Sequence, residues 1–195
     1  KSPVPVICVP HCIEAPVPRF LGRSYFGLPA DKFLFLTPFD VLSVFERKNP
    51  LAAIEAFRLA FGKESDCHLV IKVNNGDKQP EKVDLLYERS RGYPITILDQ
   101  VMSRQEVNAL LGTCDCLVSL HRSEGFGLAI AEAMWLGKPV IATAYSGNMD
   151  FTHHDTAFLV SYQLRRVGKG ADPYPEDAWW ADPSLTGAID QMKAV

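Results

Sequence analysis

Ser119-Leu120-His121-Arg122-Ser123-Glu124-Gly125-Phe126-Gly127-Leu128-Ala129-Ile130-Ala131-Glu132-Ala133-Met134 decides how this 195-residue chain is read. The run leaves a short apolar strand, Cys116 to Leu120. It crosses a polar loop punctuated by Gly125 and Gly127, then enters a helix-forming segment that ends at Leu136-Gly137. Strand, glycine loop and helix is how an α/β protein presents backbone N–H groups to an anion. Glycine has no Cβ to hold a ligand off the main chain. The first turn of a helix offers unpaired N–H groups at the positive end of its dipole. Glu124 and Glu132 flank this anion site, and a carboxylate is no partner for a phosphate. Both are therefore expected to bind hydroxyls, those of a sugar or a ribose. Ile130 stands where the third glycine of the dinucleotide-binding fingerprint would be, so that fingerprint is not met. On spacing alone, the glycines also suit an ordinary βα turn and the glutamates a solvated surface.

Outward from this stretch, short apolar runs recur at Lys32 to Pro38, Cys67 to Val73, Ile95 to Leu98, Pro139 to Ala142 and Ala157 to Val160. Near-continuous apolar runs of this kind mark strands covered on both faces. Helical patterns fill the gaps. Asn49 as N-cap and Pro50 at the first position open one helix with Leu51, Ile54, Phe57 and Phe61 on a single stripe. Pro80 to Arg91 is a charged helix ended by Gly92, and Ser103 with Glu106 forms a capping box for a helix to Thr113. Strands separated by single helices predict a doubly wound, Rossmann-like α/β parallel sheet of about six strands in the order 3-2-1-4-5-6. Val4 to Val9, broken by Pro5, reads as an edge or linker strand. Residues 1–30 read as a lead-in, 31–160 as the core. From Tyr162 to Glu176 the pattern breaks into a long loop, which Trp179-Trp180 docks before a last helix from Ser184.

Composition narrows the classes. Apolar residues make up 47% and charged residues 22%, ordinary globular values, and a net charge of −3 gives no sign of a nucleic-acid partner. No apolar run approaches the ~18–20 residues of a membrane span. The five cysteines lack a disulfide or zinc spacing and read as small buried hydrophobes in a reducing cytoplasm. His153-His154-Asp155 is not expected to bind metal, since adjacent histidines point apart. The chain starts without Met and stops within a helical pattern, so it is expected to be part of a longer protein.

In an open parallel sheet, ligands sit where the strand order reverses, here between the first and fourth strands. The loop after the first strand holds Asp40, Ser43, Glu46, Arg47, Lys48 and Asn49. It should meet the glycine loop across one crevice that suits a diphosphate.

Glu124 and Glu132 stand seven residues apart within Ser-Glu-Gly-Phe-Gly-Leu and Glu-Ala-Met-x-x-Gly-Lys-Pro-Val-Ile-Ala-Thr. This resembles the Glu-x7-Glu signature of retaining glycosyltransferases of the GT-B fold, family 4 or group 1. The resemblance implies a C-terminal, donor-binding half with the acceptor domain outside this chain, inactive alone. It implies that Lys48 grips the donor's diphosphate. The family's Arg usually lies several residues earlier, so either Arg47 substitutes for it or that second cation is missing. Glu132 would hold the ribose, and Glu124, the catalytic candidate, would lie against the donor sugar near its reacting carbon. Gly125, Phe126, Gly127 and Leu128 would meet sugar and phosphate through the backbone. The base would be read by main-chain groups around Val101. From position alone, Asn74 and His121 are further candidates for the donor, Asn74 equally suiting a plain turn and His121 a structural place. No cofactor or metal is implied, because cations and a helix dipole stabilise the leaving diphosphate. The implied partners are a nucleotide-diphosphate sugar and an acceptor glycan or lipid-linked glycan. The implied setting is cytoplasmic, with room for a peripheral position on the inner face of a membrane. Phe45 to Pro50 and the departure at Ser146-Gly147-Asn148-Met149-Asp150 from the usual Gly-Gly-x-x-Glu are similar to a bacterial subgroup that makes surface polysaccharide. Two alternatives remain: a non-catalytic nucleotide-binding or assembly module, and a sugar-nucleotide epimerase of the same architecture.

Overall fold

The computed structural model describes residues 4, 5, 7, 9, 12, 13 and 21–195. Its centre is β1 (Phe33–Asp40), apolar at nearly every position because both of its faces are covered. Phe35 and Phe39 point to one side and join Ile54, Phe57 and Leu86 in a core. Leu34 and Leu36 point to the other side, against Leu110, Leu117 and Ile130. The first face is covered by α2 (Pro50–Phe61), α3 (Pro80–Ser90) and α6 (Leu185–Ala194), the second by α4 (Arg104–Thr113) and α5 (Leu128–Trp135).

The main sheet adds β2 (Cys67–Asn74), β3 (Ile95–Asp99), β4 (Cys116–Ser119), β5 (Val140–Thr143) and β6 (Phe158–Val160). Its six strands run in the order β3-β2-β1-β4-β5-β6, every pair parallel, as the alternation of apolar runs and helices predicts. The two ladders on β1 differ in length. With β2 it pairs along its whole length, from Phe33↔Cys67 to Asp40↔Asn74. With β4 it pairs only at Phe35↔Cys116 and Leu36↔Leu117.

Pro38 follows from this inequality. Leu34 exchanges hydrogen bonds with Asp115 on the β4 side, its N–H to Oδ2 at 2.7 Å and its C=O from the Asp115 N–H at 2.9 Å. Backbone groups alternate sides along a strand, so residue 38 also faces β4. By then that ladder has ended, and a missing N–H costs nothing. A proline in a central strand is tolerated because one of its neighbours has already turned away.

Between β1 and α2 the chain makes one further helical turn, α1 (Phe45–Lys48), bracketed by Val44 at φ 62° and Asn49 at φ 54°. Asn49 is not the side-chain N-cap that the sequence predicts. Its left-handed backbone bends α1 into α2 and turns its amide toward β4, where Nδ2 donates to the Leu120 carbonyl at 2.9 Å. The capping box at Ser103 and Glu106 forms as predicted.

The segment expected as a long loop after Ser161 is different. β7 (Tyr162–Arg166) and β8 (Trp179–Pro183) form an antiparallel two-stranded ribbon outside the main sheet. All five β7 residues are exposed, so no burial pattern marks that strand in the sequence. It is held instead by its partner. Trp180 is 3% exposed and packs with Val167, Ala171 and Tyr174, and Arg166 lies 4.3 Å over the Trp179 ring. Of the expected strand from Val4 to Val9, positions 6 and 8 lie outside the described residues, and Val4, Pro5, Ile7 and Val9 carry no strand. Of the cysteines, Cys114 and Cys116 are buried as expected, their thiols pushed up to about 12 by burial, whereas Cys12 is exposed.

Trp180→Ala should cost about 3–5 kcal/mol in urea unfolding, as for a buried aromatic. Trp179→Ala, which loses an exposed ring and its cation–π contact, should cost about 1 kcal/mol or less.

Candidate functional site

β1 and β4 part after Leu36 and Leu117, and the gap at their carboxyl ends opens into a cavity of about 540 Å³. One lip is α1 with Arg47 and Lys48; the other is the loop from Glu124 to Gly127 and the first two turns of α5. The lips are stitched by hydrogen bonds onto main-chain carbonyls. The Arg122 N–H donates to the Arg47 carbonyl at 2.8 Å, the Arg47 Nη1 to the Ser123 carbonyl at 2.6 Å, and the Arg122 Nη1 to the Glu46 carbonyl at 2.6 Å. Arg122 also reaches Asp182 at 3.0 Å and lies over the Trp180 ring, so the β7–β8 ribbon braces the same junction.

The glycine loop has its own support. Ser146, at φ 72°, accepts the Glu124 N–H on Oγ at 2.7 Å, and the Gly147 N–H donates to the Glu124 carbonyl at 3.1 Å. A Cβ on Gly147 would lie 1.9 Å from the Gly125 carbonyl oxygen, so only glycine lets the two turns stack this closely. Gly127, at φ 90°, caps α5 without a side chain on the first-turn amides. Gly127, Leu128, Ala129 and Ile130 line the crevice, and the first-turn amides of a helix are the groups that suit an anion.

Charge in the crevice is already paired. Glu124, 11% exposed, binds both cations of the opposite lip, Lys48 Nζ at Oε1 and Arg47 Nη1 at Oε2, the latter at 3.4 Å. Burial works to raise the Glu124 carboxyl, but Lys48, His121 and Arg47 together carry it below the usual carboxylate value. Glu132, deeper on α5, pairs with Arg104 at the start of α4.

Of the residues predicted from sequence, Arg47, Lys48, Asn74, Glu124, Gly125, Phe126, Gly127, Leu128 and Glu132 line this one cavity. Two do not. Val101 is fully exposed and borders a second cavity of about 600 Å³, which shares Asp40 and Asn74 with the first. His121 is fully buried beneath the loop rather than on the cavity wall. Its Nε2 faces two acceptors, the Tyr145 carbonyl at 3.2 Å and Asn148 Oδ1 at 3.1 Å, and so carries the proton; Nδ1 accepts from Ser119 Oγ at 2.9 Å. Both ring nitrogens are spent on the fold, which leaves none for a donor.

Residues that the sequence reading passed over also line the crevice: Pro38, Lys72, Arg104 and Tyr174. Lys72 is 1% exposed, and its ammonium donates to the Val73 and Gln100 carbonyls and to Asn74 Oδ1, tying the β2 loop to the β3 loop. Burial pulls its pKa down against the opposing charges of Asp99 and Asp40. A lone lysine inside the apolar run Leu69-Val70-Ile71-Lys72-Val73 was the available signal. Among the described residues, no group of three or more His, Cys, Asp or Glu is placed to hold a metal, and His153, His154 and Asp155 are exposed.

Gly147→Ala should destabilise the chain by about 1–3 kcal/mol through overpacking against Gly125, read in thermal unfolding. A second expectation concerns pH. Burial lowers the His121 pKa below 6.5, more than Glu124, Tyr145 and Asn148 restore, so the unfolded chain takes the proton first on acidification. That stability is whole above pH 6.5 and falls as pH drops through it. Glu124, lowered below 4.5, adds its loss only at more acid pH. The melting temperature should therefore fall from about pH 7.5 to about 5.5, and fall less steeply in His121→Asn.

Comparison with known proteins bears on the family and the fold. A family model described as "Glycosyl transferases group 1" matches residues 35–163. Trehalose synthase of Rubrobacter xylanophilus is 29% identical over 106 residues, 51% of this chain and 26% of the relative. The mouse alpha-1,3/1,6-mannosyltransferase ALG2 is 28% identical over 167 residues, 78% of this chain and 37% of the relative. This chain thus spans about a quarter to a third of the length of these relatives. Among solved structures, Anabaena HepE in complex with UDP-glucose superposes with a TM-score of 0.59 at 22% identity, covering 71% of this chain and 37% of that one. WaaG, a glycosyltransferase involved in lipopolysaccharide biosynthesis, gives 0.58 at 19% identity, covering 88% and 40%. These likenesses support the fold, the Rossmann-like half of a GT-B protein. The family model runs from within β1 to the start of β7 and takes in both lips of the crevice, so the chain belongs to the group 1 family of glycosyl transferases.

Proposed function

We propose that this chain is the donor-binding half of a retaining glycosyltransferase that takes its sugar from a nucleoside diphosphate. The observation that carries the reading is the convergence of Lys48, Arg47, Glu124, the Gly125–Leu128 turn and Glu132 on one cavity. The diphosphate would lie between the α1 cations and the first amides of α5. The ribose would rest on Glu132 and the sugar against Glu124.

To enter, the diphosphate must compete with Glu124 for Lys48 and Arg47. That exchange frees the Glu124 carboxylate to accept sugar hydroxyls at the moment the cations take the phosphates. As the bond from the anomeric carbon to the diphosphate oxygen breaks, charge develops on that oxygen beside Lys48, Arg47 and the Gly127–Leu128 amides, and donors fixed in advance stabilise it. The acceptor oxygen forms the new bond from the same face, and its proton passes to the departing phosphate. Glu124, released from the cations and bound to the sugar's hydroxyls, orients the sugar rather than attacking it.

The base would lie beside the loop after β3 between Gln100 and Arg104, and not on the exposed Val101 side chain. Acceptor groups would come from a further domain. We take the setting to be cytoplasmic and the product a bacterial surface glycan. WaaG supports that reading by its fold, and Phe45 to Pro50 by its sequence. UDP-glucose, bound in HepE, is the first donor to try.

Calorimetric titration with UDP, GDP and ADP tests the reading. At least one should bind, and Lys48→Ala should weaken it tenfold or more, about 1.4 kcal/mol. Absence of binding by all three at millimolar concentration would instead favour a non-catalytic assembly module.

A further inference from the structure

Glu132 is 5% exposed, and among the described residues its carboxylate has one side-chain partner, the Arg104 guanidinium. A buried carboxylate without a counter-charge is costly, and the loss of one partner from such a pair leaves the other uncompensated. No other cation of the crevice is free to replace Arg104. Arg47 and Lys48 are engaged by Glu124, and Lys72 by Val73, Asn74 and Gln100. The remaining charge on the walls is Asp40, of the wrong sign.

Arg104 is also held in place. It is the first residue of α4, directly after Ser103, whose capping box with Glu106 fixes the start of that helix. Its side chain is half exposed on the crevice wall. The contact is one-sided, Nη2 to Oε1, so Oε2 and a second lone pair of Oε1 stay available. A vicinal diol needs two acceptors side by side, and this pairing leaves two.

We propose that Arg104 is a positioning residue for ribose recognition: it clamps one oxygen of Glu132 so that the carboxylate stays aimed at the 2′- and 3′-hydroxyls of the donor nucleotide. This rests on the nucleotide-binding reading above. Arg104 acts through Glu132 and makes no bond to the phosphates.

The test is calorimetric titration of this chain with UDP and with 2′,3′-dideoxy-UDP, or the matching GDP or ADP pair if the chain prefers that base. Arg104→Ala should weaken UDP tenfold or more and leave the dideoxy nucleotide within twofold. Arg104→Lys should recover part of the loss. In a Glu132→Gln background, Arg104→Ala should have no further effect. Should Arg104→Ala fold poorly, Arg104→Gln, with a neutral side chain, carries the same comparison. Equal losses on the two nucleotides would overturn the inference. So would an unchanged affinity, or tighter binding of UDP by Arg104→Ala, which would make Arg104 a competitor of the ribose. A parent chain that binds no nucleoside diphosphate overturns the nucleotide-binding reading itself. A parent that binds while Arg104→Ala changes nothing overturns this inference alone.

Discussion

β1 keeps its hydrogen bonds to β2 for its whole length and loses those to β4 after Leu36↔Leu117. That early parting is the constraint on which the site depends. Winding of the sheet reverses between these strands, so their crossovers leave in opposite directions and the carboxyl ends splay. α1 fills one lip, the glycine loop the other, and helices α4 and α5 close the floor. Pro38 would be a defect in a fully paired central strand; here it stands where pairing has stopped and lines the cavity that results.

Across that gap the chain places opposite charges close enough to hold each other. Glu124 neutralises Lys48 and Arg47, and Glu132 is neutralised by Arg104. Four of these five charges would be costly to bury alone, and each is compensated by its partner across the crevice. The scaffold behind them is equally committed. His121, Asn148 and Thr152 form a buried hydrogen-bonded group under the loop, and Ser146 and Gly147 clamp both backbone groups of Glu124. Groups aimed before a ligand arrives need little reorganisation when it does.

Much of this was legible in the sequence. Strand order followed from apolar runs alternating with helices, and the crevice followed from the order. Glu124, Gly127 and Glu132 could be placed because strand, turn and helix periodicities fix where such residues point. What stayed hidden depends on contacts distant along the chain. Asn49 in a helix-opening Asn-Pro looks like a cap until Leu120 supplies a carbonyl seventy-one residues away. His121 at a strand end looks ligand-facing until Tyr145 and Asn148 accept its ring N–H. The β7 strand shows no apolar alternation because it lies on no core; its partner's Trp180 does the burying. Arg104 was visible only as part of a capping box, since helix periodicity names the start of α4 but not the residue across the crevice.

A crystal structure of this chain with a bound nucleoside diphosphate sugar tests the site most directly. The diphosphate should lie between Lys48 and the amides after Gly127, with the Lys48–Glu124 pair opened and the ribose hydroxyls on Glu132. A nucleotide bound elsewhere, with Lys48 still held by Glu124, would contradict it.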